Sequence, residues 1–304
     1  MIYTVTLNPS LDYIIDVKHF VPGMVNRTTA EKIFAGGKGI NVSMVLKNLG
    51  FDSTALGFLA GFTGKEIERQ LEGKGISTDF ICLEDGISRI NMKIRSEVES
   101  EVNGLGPEIS PEAIKKMFDR LDELQEGDIL VLAGSIPASM PESMYRDIMK
   151  RLADRKLKIA VDATKSLLLN VLPFHPFVIK PNNHELGELF NVKIKSKNQA
   201  VEYAKKLQEM GAQNVIVSMA GEGAVFVGDD GSVFQSEAPK GTVVNSVGAG
   251  DSMVAGFLAG YLGEGDYKEA FKLGVCTGSA SAFSEQLATR EQVEAIRNTH
   301  HFEF

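Results

Sequence analysis

The chain has 304 residues, 43% of them hydrophobic and 24% charged, with a formal net charge of −8 and an isoelectric point near 5.3. This length suits one large α/β domain or two smaller ones, and the acidic balance argues against nucleic acid or an anionic membrane as partner. No apolar run reaches membrane-spanning length, the N-terminus reads as a strand and not as a signal peptide, and the isolated Cys82 and Cys276 fit a reduced cytoplasm.

In chain order, Ile2 to Leu7 alternates as a strand and ends at Asn8-Pro9-Ser10. Leu11 to Val17 is a second short strand, a loop with Pro22-Gly23 follows, and Thr28 to Phe34 is strand-like again. Ala35-Gly36-Gly37-Lys38-Gly39-Ile40-Asn41-Val42 opens a helix that stops at Gly50; a strand over 53–59 and a helix over 64–75 come next. From Ser88 the texture changes. Arg89 to Ile94 alternates polar and apolar residues, and 99–102 offers a hairpin partner. With 11–17 and 28–34 this makes about four half-buried strands without helices between them. The pattern predicts a small β-sheet lid built from 11–34 and 85–105, standing off an α/β domain of 1–10, 35–84 and 106–304.

After Pro111 the rhythm is βα. Helices over 111–124, 141–155, 183–190 and 196–210 are interleaved with strands over 129–133, 158–162, 177–179, 215–218 and 224–227. Continuous apolar strands between amphipathic helices predict a parallel sheet covered on both faces, with ligands at the carboxyl ends of its strands. The five histidines (His19, His175, His184, His300, His301) show no metal-ligand spacing. No G-x-x-x-x-G-K-[ST] occurs, and Gly221-Glu222-Gly223 lacks the third glycine of a dinucleotide-binding turn.

The chain is organised around Asn245 to Leu262. Gly248-Ala249-Gly250 has almost no side-chain bulk and feeds an apolar helix, so its unpaired backbone N–H groups and the helix dipole suit a phosphate. Asp251 in the first turn reads either as an N-terminal charge complement or as a general base beside that phosphate.

Three motifs, Gly36-Gly37-Lys38-Gly39-Ile40-Asn41-Val42, Lys180-Pro181-Asn182-Asn183-His184-Glu185 and Gly248-Ala249-Gly250-Asp251, resemble in order and spacing the hallmarks of the ribokinase-like sugar kinases. Asn8 to Asp12, Arg89-Ile90-Asn91 and Gly106 to Ile109 are similar to the branch that holds the 1-phosphofructokinases and tagatose-6-phosphate kinases. The resemblance implies a three-layer α/β/α fold with a β lid, and an ATP-dependent kinase working with Mg2+ and releasing ADP. It also implies Asp251 as base, the Gly248, Ala249 and Gly250 amides around the transferring phosphate, and Asn182 with Glu185 organising magnesium. Asn182 and Glu185 can alternatively be read as a helix cap, the weaker of the two readings. Lys180 can reach nucleotide phosphates, and Ser218, Gly221 and Gly223 follow a strand end where the family lays the nucleotide, although a hairpin turn explains them too.

On the substrate side, Asp12 can accept from sugar hydroxyls, with Gly37 and Asn41 at a glycine turn. Arg27, Lys38 and Arg89 fall in or beside the same elements, and Ser135 follows Gly134. Each cation alone could be a solvated surface charge, but three converging in an acidic protein suit a sugar that already carries a phosphate. The expected substrate is a phosphorylated ketohexose: fructose 1-phosphate attacked at O6, or tagatose 6-phosphate. A non-catalytic sensor of sugar phosphate or nucleotide is the alternative from another class. Family likeness also implies a homodimer through the lid strands.

Overall fold

A computed structural model describes residues 1–303. In chain order its elements are β1 (Ile2–Thr6), β2 (Ser10–Asp16), β3 (Ala30–Gly36), α1 (Lys38–Leu49), β4 (Thr54–Ala60), α2 (Gly61–Gly73), β5 (Ser77–Thr78), β6 (Ile81–Leu83), β7 (Arg89–Arg95) and β8 (Ser100–Asn103). They continue as α3 (Pro111–Leu121), β9 (Ile129–Ala133), α4 (Met144–Leu152), β10 (Lys158–Asp162), α5 (Lys165–Leu169), β11 (Val178–Ile179), α6 (Asn183–Phe190), α7 (Lys197–Glu209), β12 (Asn214–Ser218), β13 (Ala224–Val227), β14 (Val233–Ser236), α8 (Ala249–Glu264), α9 (Tyr267–Ala282) and α10 (Arg290–Thr299).

Ten strands form one sheet in the order β14-β13-β12-β11-β10-β9-β1-β4-β5, with β6 also paired to β4. All neighbours are parallel except β12–β13 and β13–β14. The apolar runs follow from burial on both faces. In β9, Leu130 and Leu132 join the core under α3, α4, α6 and α7, while Ile129, Val131 and Ala133 join the core under α1, α8, α9 and α10. From Met253 to Gly260 helix α8 is apolar on every side because it is buried on every side. Its Gly256 and Gly260 let α9 approach so closely that an added Cβ would stand 2.5 Å from Thr277 Oγ1 or 2.7 Å from Ala270 Cα.

A separate four-stranded sheet has the order β3-β2-β7-β8. Its central pair, β2 and β7, is parallel, with Ser10 opposite Arg89 and Asp12 opposite Asn91. Alternation gives it one polar face carrying Ser10, Asp12, Arg89, Asn91 and Lys93, and one apolar face carrying Leu11, Tyr13, Ile90 and Met92. Among the described residues no helix is long and apolar enough to cross a membrane.

Candidate active site

A cavity of about 550 Å3 opens at the carboxyl ends of β1, β9, β10 and β12, roofed by the polar face of the small sheet. Open parallel α/β sheets bind ligands in the crevice outside the carboxyl ends of their strands. Of the residues expected from sequence, it is lined by Asp12, Gly37, Lys38, Asn41, Arg89, Ser135, Lys180, Asn182, Glu185, Ser218, Gly248, Gly250 and Asp251. Arg27 is not among them. It is exposed in the irregular stretch between β2 and β3, so a single chain does not bring it to the other two cations. Gly221 and Gly223 sit in the turn after Ser218, just beyond the lining residues.

Gly248 caps α8 with φ of 79°, a conformation that favours glycine, and turns the first amides of the helix toward the cavity. The amides of Gly250 and Asp251 find no backbone acceptor among the described residues, whereas Ala249 N–H donates to the Ser246 carbonyl (3.3 Å). Of the expected triplet Gly248, Ala249 and Gly250, only the middle amide is engaged by a backbone acceptor among the described residues. Asp251 is 5% exposed, and its Oδ2 accepts from Asn41 Nδ2 at 2.8 Å. Burial first, and the neighbouring Asp162 second, push its carboxyl up from 3.8 to about 6.

Asp162, the last residue of β10, went unnoticed in the sequence. It is buried, and its Oδ2 accepts from Lys38 Nζ at 3.2 Å while its Oδ1 faces Lys180 Nζ at 3.6 Å. Burial works against its charge, but the two lysines outweigh that and hold its carboxyl below the ordinary value. Lys38 is likewise opposed by burial yet held above its usual value by Asp162, Asp251 and Glu185. The ammonium groups of Lys38 and Lys180 thus flank the two oxygens of Asp162. The signal in the sequence was a carboxylate ending an otherwise apolar buried strand.

Asn182 caps α6 in a complete capping box: its Oδ1 accepts from the amides of His184 (2.9 Å) and Glu185 (2.8 Å), and Glu185 Oε2 accepts from Asn182 N–H (2.8 Å). An isolated parallel bridge also sets Asn182 beside Ser218. The capping role is therefore real, and it leaves the second Glu185 oxygen for other work.

On the sugar side, Asp12 Oδ1 accepts from Ser10 Oγ (2.8 Å) and Asn91 Nδ2 (3.1 Å), and its Oδ2 lies 3.1 Å from Lys93 Nζ. Arg89 donates through Nε to the Asn8 carbonyl at 3.1 Å. Its two terminal nitrogens have no hydrogen-bond partner among the described residues. Burial lowers its pKa and Asp12 partly restores it.

Comparison with known proteins is decisive at the level of family: the model of the pfkB family carbohydrate kinases matches residues 5–293. The chain belongs to the pfkB family of carbohydrate kinases. This kinase is 49% identical over 97% of its length to the 1-phosphofructokinase of Bacillus subtilis (strain 168), of which 97% is covered. It is 38% identical to the D-tagatose-1-phosphate kinase of Bacillus licheniformis, with 94% of each chain covered. Among solved structures it is similar to phosphofructokinase-2 from Escherichia coli in complex with fructose-6-phosphate (TM-score 0.90, 26% identity, 98% of both chains). A ribokinase from Arabidopsis thaliana, at 17% identity and TM-score 0.79 over 97% of this chain and 98% of that one, shares the ribokinase-like fold. As a family member this kinase uses ATP as phosphoryl donor.

Proposed function

We propose that this kinase transfers the γ-phosphoryl group of ATP to O6 of fructose 1-phosphate, giving fructose 1,6-bisphosphate and ADP. The observation that carries the reading is one cavity holding Asp251 beside unpaired helix amides, together with an Arg89 whose two terminal nitrogens await an anion. A ketofuranose carries a hydroxymethyl group at each end of its ring. With the 1-phosphate gripped by Arg89 and Ser135, O6 points to the other end, where Asp251 takes its proton. The new O6–P bond forms as the bond from the γ-phosphorus to the β,γ-bridging oxygen breaks. Lys38, Lys180 and the amides of α8 balance the charge on the moving group. Asp12, Gly37 and Asn41 hold the ring, while Ser218 and the Gly221–Gly223 turn border the nucleotide.

A magnesium ion fits this donor set in the way that ion prefers, carried on phosphates and touched by one or two carboxylates. The uncommitted Glu185 oxygen would hold it, while Asn182 Oδ1 is spent on the helix cap and Asp162 Oδ1 already faces the Lys180 ammonium. Bound there, the ion would neutralise phosphate charge.

The small sheet acts as the lid that excludes water. Its outer face leaves Ile33 51% and Val102 62% exposed, which supports pairing with a second copy through the lid. Arg27 would reach a sugar phosphate only from such a second copy. A panel of fructose 1-phosphate, fructose 6-phosphate, tagatose 1-phosphate, tagatose 6-phosphate and free fructose, read by ADP release, tests the assignment. Fructose 1-phosphate is expected to give the highest kcat/KM. A preference for either tagatose phosphate moves the substrate and leaves the mechanism, and no turnover with any of them removes the reading.

A further inference from the structure

Ser252 follows Asp251 in the first turn of α8 and is fully buried. Its backbone N–H and its hydroxyl both reach the Gly248 carbonyl, each at 2.8 Å. The same hydroxyl oxygen lies 2.7 Å from Ser281 Oγ on α9, which is buried as well. Ser281 Oγ accepts from the Ala288 N–H at 2.9 Å, in the loop between α9 and α10. Neither serine lines the cavity.

Each hydroxyl has one proton, and that fixes the direction of the chain. A carbonyl only accepts, so the Ser252 proton goes to Gly248 and the Ser281 proton to Ser252 Oγ. In the opposite direction the Ser281 proton would have no acceptor among the described residues, and Gly248 would lose one of its two donors. Close packing makes the chain possible: an added Cβ on Gly278 of α9 would stand 3.0 Å from the Ala249 carbonyl oxygen. The peptide joining Gly248 to Ala249 is thereby held at both ends. Its oxygen receives Ser252 twice, and its N–H donates to the Ser246 carbonyl at 3.3 Å. The next two amides, of Gly250 and Asp251, have no backbone acceptor among the described residues, so their aim depends on the peptide before them.

We propose that Ser252, held in place by Ser281, is a positioning residue for phosphoryl transfer. The two buried hydroxyls lock the Gly248–Ala249 peptide, and so aim the Gly250 and Asp251 amides and the Asp251 carboxyl at the phosphate being transferred. Donors preset for charge that develops only in the transition state contribute to turnover far more than to sugar binding. Neither serine touches a ligand; both act through the backbone of the first turn. The inference rests on the reading of that turn as the phosphate site.

The test is a double-mutant cycle, read with ATP and the best substrate of the sugar panel. Ser252→Ala should lower kcat at least about tenfold, the cost of donors slightly misplaced, while KM for the sugar stays within about threefold. Ser252→Cys keeps the volume but is a weak donor. It should lose about as much, and it serves alone if the alanine variant does not fold. Ser281→Ala should lower kcat by about threefold to tenfold in the wild type but by less than about twofold in Ser252→Ala, because its effect passes through Ser252. Unaltered ADP affinity in calorimetric titration shows that the rest of the nucleotide site is intact. A Ser252→Cys enzyme within about threefold of wild-type kcat, losses that multiply in the double variant, or a loss confined to sugar KM would overturn the proposal and leave the serines as packing. Failure of the underlying reading looks different: Gly250→Val would then keep normal turnover, or no sugar would turn over at all, and the proposal would fall with it.

Discussion

Replacing Asp251 with asparagine should cost activity and raise stability at once, and the structure gives both magnitudes. Loss of a positioned base lowers kcat by roughly 10²–10⁴-fold. The stability effect comes from the carboxyl's displacement from 3.8 to about 6, caused by burial and then by Asp162. A folded-state value above the unfolded one means that the fold favours the protonated acid. That contribution is complete below pH 3.8 and is lost as pH rises through about 6. Keeping Asp251 ionised at pH 7.5 therefore costs about 3 kcal/mol, from about two units at about 1.4 kcal/mol each. Asparagine does not titrate and keeps the shape. Asp251→Asn should melt roughly 6–12 °C above the wild type at pH 7.5 as an upper bound, at about 2–4 °C per kcal/mol. The gap should close toward pH 4. Calorimetry across that pH range and a coupled ADP-release assay on the same preparations measure both. Wild-type kcat/KM should also fall about tenfold per pH unit below about pH 6. A variant that melts no higher than the wild type at pH 7.5, or that keeps kcat within about tenfold of it, would refute the reasoning.

Asp162→Asn removes a negative neighbour of Asp251, so the acid limb of the kcat/KM profile should move below pH 6; a limb that stays or moves upward would show that Asp162 does not set it. Arg89→Ala should raise KM for the phosphorylated sugar by about 1.5–3 kcal/mol, the worth of a charged hydrogen bond, with little effect on free fructose; equal losses on both would mean that Arg89 holds the lid and not the phosphate. Gly250→Val places a branched side chain where a Cβ already stands 3.0 Å from Lys180 Nζ, so nucleotide affinity measured by calorimetric titration should fall with turnover. Intact ATP binding there would place the anion site elsewhere.

Much of the architecture was legible because burial on two faces leaves an unmistakable pattern. The apolar run Ile129–Ala133 and the apolar stretch Met253–Gly260 of α8 announce a covered parallel sheet, and the alternation of Arg89–Arg95 announces a half-exposed one. Helices α9 and α10 escaped because the first is rich in small residues and the second fully buries only Val293, so neither shows a clear apolar stripe. The two- and three-residue β5 and β6 are too brief for any periodicity to register. In the site, glycine turns and the Asn182–Glu185 spacing were readable because they are local. Asp162 was not, since its meaning depends on partners that only the strand order brings together. The stretch between β2 and β3 has no regular structure, so no local pattern could say where Arg27 would lie.

The parallel pairing of β2 with β7 has a consequence for assembly of the chain. Antiparallel neighbours can zip from a turn, but Ser10 and Arg89 meet only after α1, β4 and α2 have laid down the body between them. Closing so long a loop costs entropy before any contact repays it. The roof of the cavity is thus expected to be the last part to form and the first to open, without the body unfolding. Nor can half of it be cut away, because removing one insertion strips the other of its central partner and bares a strand edge to aggregation.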